Sequence, residues 1–298
     1  MLIQISKVNL RSNLLILLIS LTAVPSFSEL VNLPTNLPLE FQITSEEEFK
    51  AELSSRLIPL SVWIQQMNSE PIDFICLGET HDQKFREFYA SKVFSALRID
   101  TLALEETAAV LKERLTKEAD ASTFSFLGAD MKPVLEAAKK LNPNLRIVGV
   151  EATDLEKKQI ATDKSGNKLS RDGYIAHHIV ELLEPNKRTL ALYGSLHCGT
   201  RSIGLGFTAP FYKLLQQNTT HRPGMKNLTT LFQENYSSIL RLYVDSFELA
   251  KEDMVLVNPL SIDMRLYNYR ADLFNELNNY EFIILPKANY LPADPNEK

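Results

Sequence analysis

The sequence predicts an α/β fold: a mostly parallel sheet covered by helices on both faces, with a polar site at the carboxyl ends of its strands. Three observations predict it. Four short runs, Phe74-Ile75-Cys76-Leu77, Thr101-Leu102-Ala103-Leu104, Arg146-Ile147-Val148-Gly149-Val150 and Thr189-Leu190-Ala191-Leu192-Tyr193, recur between stretches of helical pattern. They are largely continuous in apolar residues rather than alternating, as strands buried on both faces are. Each is followed closely by a Glu or a His, and in parallel sheets ligands bind outside the carboxyl ends of the strands.

The elements follow in order. Lys7 and Arg11 precede the apolar run Leu14 to Val24, and Ser26-Phe27-Ser28 supplies small residues after it. That is the layout of a secretory signal, with cleavage expected after Ser28 and no membrane anchor left behind. Residues 29–70 read as a Pro- and Asn-rich arm followed by a helix, opened by the S-x-x-E capping box of Ser45 and Glu48. Residues 71–298 read as a single α/β domain. Helices are expected at about 84–97, 107–119, 130–141, 171–183, 208–217 and 264–278, from apolar spacing and from stops such as Pro185. Later strands are expected at Leu240 to Val244 and Phe282 to Leu285. The stretch 218–262 carries the weakest pattern and reads as a candidate cap or insertion.

Composition narrows the function. With 32 Lys and Arg against 37 Asp and Glu, the net charge is -5. A basic face for phosphate binding is not expected, so nucleic acid is an unfavoured partner. Two cysteines, Cys76 and Cys198, both fall near expected strand ends. In an oxidising compartment they are a candidate disulfide, and two buried thiols are the alternative.

The strand ends carry the chemistry. The first run leads into Gly78-Glu79-Thr80-His81-Asp82, the second into Glu105-Glu106, the third into Glu151 and then Asp154, and the fourth into Gly194-Ser195-Leu196-His197. A Glu just past a strand is often only the first-turn acid of the next helix. The spacing G-x-x-H, however, occurs twice, each time directly after an apolar run. A His beside carboxylates serves two chemistries. It can ligate a divalent metal such as Zn, Mn or Fe, or act as a base on water while a carboxylate orients it. Arg171 is a candidate counter-charge for the buried acids; a solvated Arg171–Asp172 pair is the simpler alternative. In His177-His178, adjacent residues on one helix diverge, so at most one faces the site. Glu151 fits by position, but no motif supports it.

Three segments, and a late strand after them, resemble the superfamily that joins erythromycin esterases, ChaN-like haem-uptake proteins and the Tiki/TraB metalloproteases. Phe74 to Asp82 (FICLGETHD) resembles the family's strand with its G-E-x-H-type motif, in the ChaN-like form. Thr101 to Glu105 (TLALE) resembles the next strand with its terminal acid. Arg171 to Thr200 resembles the R-D-x-x-x-A helix followed by a strand ending in G-x-x-H, and Phe282 to Pro286 resembles the closing strand. The resemblance implies a site of Glu79, His81, Glu105, Arg171 and His197. In the esterase branch it implies His81 as general base; in the metalloprotease branch it implies Glu79, His81, Glu105 and His197 around a metal. Where ChaN-like chains carry a His pair after the first motif, Lys84, Phe85, Arg86 and Glu87 stand here.

The expectation is a secreted or periplasmic hydrolase of a small-molecule or peptide substrate. His81, Glu79, Arg171 and His197 are the candidate catalytic residues, with a divalent metal an allowed cofactor. The rival expectation is a haem- or metal-binding protein without catalysis.

Overall fold

The computed structural model describes residues 46–117, 124–162, 169–200, 210–218, 224–231, 239–259 and 279–287. The expected signal segment, the arm at 29–43, the capping Ser45 and the helix at 264–278 lie outside the described residues. Within them runs an eight-stranded sheet in the order β1-β9-β10-β8-β2-β7-β3-β6. Its strands are β1 Leu57–Pro59, β2 Phe74–Glu79, β3 Thr101–Leu104, β6 Arg146–Gly149, β7 Thr189–Gly194, β8 Met225–Thr230, β9 Met254–Val257 and β10 Phe282–Leu285. β4 Ser125–Phe126 and β5 Ala129–Asp130 form a separate small hairpin. From β10 across to β6 the pairing is parallel. Only β9 runs against its neighbours β10 and β1.

The helices are α1 Glu46–Arg56, α2 Leu60–Ser69, α3 Gln83–Phe88, α4 Ala108–Lys117, α5 Lys132–Leu141, α6 Asp154–Thr162, α7 Arg171–Leu182, α8 Ser195–Cys198, α9 Phe211–Asn218 and α10 Ile239–Ser246. A π-helical turn, Tyr89–Phe94, extends α3. The apolar runs have no polar side because both faces are covered. Ile75, Leu77, Leu102, Leu104, Leu190 and Leu192 pack with α2, α3, α4 and α5. Phe74, Cys76, Ala103, Ala191 and Tyr193 pack with α1, α7, α9 and α10.

Three departures from the sequence reading have physical causes. The first helix breaks at Leu57–Pro59, which becomes an edge strand on β9. The pyrrolidine of Pro59 disfavours helical backbone at Ile58, and the helix restarts at Leu60. Leu240 to Val244 is helical, not a strand. Leu240, Val244 and Phe247 are all buried, the i, i+4, i+7 spacing of one helix face. Finally, Met225–Thr230 and Met254–Val257, from the stretch read as a candidate cap or insertion, are strands of the central sheet. β8 escapes a hydropathy reading because Asn227, Thr229 and Thr230 are polar yet buried.

Cys76 and Cys198 form a disulfide. It ties the middle of β2 to the last residue of α8.

Candidate active site

β2, β7, β3 and β6 are consecutive neighbours in the sheet, so the four loaded strand ends meet. Glu79 is the last residue of β2 and is 2% exposed. Two residues on, His81 has φ +58, a left-handed conformation uncommon away from glycine, of the kind that clusters at functional sites. Asp82 then caps α3, accepting from the Phe85 backbone N–H at 3.0 Å and from the Thr80 hydroxyl at 2.7 Å. The cap fixes the turn that carries His81.

His81 lies between two carboxylates. Its Nδ1 is 2.9 Å from Glu79 Oε1, and its Nε2 is 3.3 Å from Glu105 Oε2. Burial lowers the proton affinity of the ring, but hydrogen bonds to Glu105 and Glu79 outweigh it and raise the pKa to about 9. The ring is therefore an imidazolium at neutral pH. Burial works against the charge on Glu105 too, yet bonds from His81 and from the Gly194 backbone N–H (2.9 Å) bring its pKa down to about 2. Behind Glu79 stands fully buried Arg86, whose Nη2 and Nε donate to the carboxylate at 2.9 and 3.3 Å. Arg86 Nη1 also donates to the Ala129 carbonyl at 2.6 Å.

The second half is built around Arg171, the first residue of α7. Its Nε and Nη2 donate to the two oxygens of Glu151 at 2.7 and 2.6 Å. Nη2 also donates to Glu105 at 2.9 Å, joining the halves. The bonds to Glu151 raise the proton affinity of the guanidinium further. Burial opposes the charge on Glu151, and Arg171 more than compensates, so its pKa is lowered. Glu151 also accepts from the buried Tyr193 hydroxyl at 2.9 Å. Arg171 Nη1 lies 3.1 Å from His197 Nε2. A guanidinium can only donate, so Nε2 accepts and Nδ1 carries the hydrogen. Nδ1 faces both oxygens of Asp172 at 3.0 Å. Asp172 is held in turn by the Phe211 backbone N–H at 3.0 Å.

Gly194 lies between the two histidines. Its φ of -52 and ψ of 133 are open to any residue, so glycine is needed here for space. A Cβ would stand 3.2 Å from His81 Nε2, 3.5 Å from Glu105 Oε2 and 3.5 Å from His197 Cδ2. At Gly78 a Cβ would meet the Ser195 Cα at 2.8 Å, so that glycine lets α8 approach β2.

The five residues implied by the motifs, Glu79, His81, Glu105, Arg171 and His197, thus form one contiguous network. The metal set among them does not fit this arrangement. Both His81 nitrogens face carboxylates, His197 Nε2 faces a guanidinium, and Glu79 and Glu105 are paired with Arg86 and Arg171. Among the described residues no group of three or more His, Cys, Asp or Glu is arranged to hold a metal ion. Two guanidiniums and an imidazolium supply the positive charge that a metal would bring. Glu151, set aside for want of a motif, is the main anchor of Arg171. Arg86, Asp172 and Tyr193 also belong to the network; Asp172 adjoins Arg171 in the R-D motif, while Arg86 and Tyr193 carried no signal. Neither His177 nor His178 joins: His177 pairs with Glu181, and His178 bridges Glu156 and the Val150 carbonyl.

No protein-family model and no curated protein matches the chain by sequence. Solved structures do match. One is a Bacillus cereus protein, 9% identical, aligned over 83% of this chain and 98% of its own with a TM-score of 0.59. That match shows the fold. ChaN of Campylobacter jejuni, solved with cofacial haem, also matches (14% identity, 78% of this chain and 96% of that one, TM-score 0.45). So does an erythromycin esterase, EreC, in an open conformation (9%, 76% and 93%, TM-score 0.48).

Proposed function

We propose that the chain is a secreted or periplasmic hydrolase of an ester- or peptide-like substrate, in which His197 and His81 divide the proton transfers. One observation carries the reading: His81 Nε2, Glu105 Oε2 and His197 Cδ2 all lie within 3.5 Å of the point where a Gly194 side chain would begin. Two imidazoles in different states face one small space. An imidazolium beside an imidazole whose Nε2 accepts from a guanidinium can serve as acid and base respectively.

His197 is the base. Asp172 orients its Nδ1–H, and a water that displaces Arg171 Nη1 would find Nε2 ready to accept a proton. Arg171 keeps its place through Glu151 and Glu105. The resulting hydroxide adds to the substrate carbonyl. His81, already an imidazolium, turns its Nε2–H from Glu105 to the oxygen on which charge develops and then protonates the leaving group. Solvent carries the proton from His197 back to His81, and one water is consumed. This exchanges the role that the motif resemblance implies for His81: flanked by two carboxylates, it is an acid rather than a base at neutral pH. The buried disulfide supports an oxidising compartment.

The test is hydrolysis of chromogenic esters and amides of varied acyl group by the purified chain, beside His81→Ala and His197→Ala. Turnover that falls at least about 100-fold in both variants supports the reading. Turnover that survives both substitutions, or no turnover together with a Soret shift on haem titration, replaces it with the binding reading.

A further inference from the structure

Asn227 is an anomaly in the sheet. It is the third residue of β8, in the sheet interior, and 0% exposed. A buried amide is tolerated only when its hydrogen bonds are met. Here they all lead to one place. Asn227 Nδ2 donates to the Cys198 carbonyl at 2.7 Å and to the Asn279 carbonyl at 2.9 Å. Its Oδ1 accepts from the Glu281 N–H at 2.9 Å.

Cys198 directly follows His197. In the register of the sheet, Asn227 stands opposite Cys76, the residue that holds the Cys198 side chain through the disulfide. Two adjacent strands at one level therefore grip the same residue, one by its sulfur and one by its carbonyl. The next residue, Gly199, passes close to Asn279. A Cβ on Gly199 would meet the Asn279 side chain at 2.4 Å, and Thr200 N–H donates to the Asn279 carbonyl at 3.0 Å. Cys198 and Thr200 are thus both fixed, on either side of Gly199.

We propose that Asn227 is a positioning residue for His197. It holds the Cys198 carbonyl so that the imidazole stands with Nδ1 on Asp172, Nε2 on Arg171 and Cδ2 toward the space at Gly194. The reading rests on the acid–base role given to His197 above, but its test does not need a substrate. A strand carrying Leu or Val at this position would pack as well and would leave the backbone after His197 without its donor.

The experiment uses the full chain, disulfide intact, with ¹⁵N-labelled histidine. The five histidines are assigned, and His177 and His178 serve as internal reporters of folding. In Asn227→Ala the Nδ1–H resonance of His197 is expected to broaden or vanish as its bond to Asp172 loosens, while the His178 signals stay. Gly199→Ala displaces the same segment against Asn279 while leaving the Asn227 side chain in place and is expected to give the same loss. It decides the matter if Asn227→Ala does not fold. A His197 spectrum unchanged in a folded variant overturns the proposal. Absence of any ester or amide turnover in the unsubstituted chain would remove the hydrolase reading and leave this comparison intact.

Discussion

His81 Nε2 and Glu105 Oε2 are 3.3 Å apart across the ends of β2 and β3, two strands that are not neighbours. β7 lies between them, and its Gly194 supplies the gap through which the two side chains meet. This one contact makes His81 sensitive to everything that holds Glu105, and it shapes the expected behaviour of the protein with pH.

The folded pKa of His81, about 9, lies above its ordinary 6.5. The stabilisation from protonated His81 is therefore complete below about pH 6.5 and is lost as pH rises through 9. Its expected size is on the order of 2 kcal/mol once solvent screening of a partly exposed ring is allowed for. Urea unfolding at pH 6 and pH 9.5 measures it. His81→Asn, which keeps a residue tolerant of positive φ, should flatten that dependence. Glu105 acts at the other end: its contribution is present above pH 4.5 and fades as pH falls toward 2.

Glu105→Gln retains the shape and an acceptor for the Gly194 N–H but removes a charge. The His81 pKa should fall clearly below 9, read by NMR titration, and hydrolysis should weaken with it. A His81 titration that does not move would mean Glu79 alone holds the proton.

Gly194→Ala adds a methyl group where the backbone permits one. Its Cβ would press on His81 Nε2 from 3.2 Å. Thermal stability should change by roughly 1 kcal/mol or less, because no backbone strain is introduced. Turnover should fall about 10- to 100-fold, since small misplacements of catalytic groups are expensive. Loss of stability without loss of rate would show that the space is structural.

Arg86→Met keeps the length of the side chain and leaves Glu79 buried without its guanidinium. Breaking a buried pair from one side destabilises by about 3–5 kcal/mol. A much smaller loss in chemical denaturation would mean that His81 alone can hold the Glu79 charge.

The disulfide closes a span of 122 residues. Replacing Cys76 and Cys198 by Ala should cost about 2–5 kcal/mol, measured by denaturant midpoint.

The sequence revealed the apolar strands of the sheet better than the polar one inside it. β2, β3, β7 and β10 were legible because strands covered on both faces must be apolar; β6, a partly buried edge strand, was legible from its Ile147-Val148 run. β8 was not, since Asn227 and the buried threonines satisfy their polar groups through contacts that only the folded chain makes. The site divided in the same way. Glu79, His81, Glu105, Arg171 and His197 stood at strand ends or in motifs. Arg86 sits on the buried face of α3, where an arginine reads as an ordinary surface residue until Glu79 is seen behind it. The roles were less legible than the positions, because the state of His81 depends on two carboxylates arriving from different strands.

Across the network, Glu79, Glu105 and Glu151 alternate with Arg86, His81, Arg171 and Lys157, and Asp172 faces His197. By formal charge the set cancels while His81 is protonated. Charges that close on one another in this way project little field into solvent, so the site has little long-range pull on ions of either sign. Encounter with a ligand should then be almost indifferent to ionic strength, and selection would depend on shape and short-range contact once the ligand has arrived.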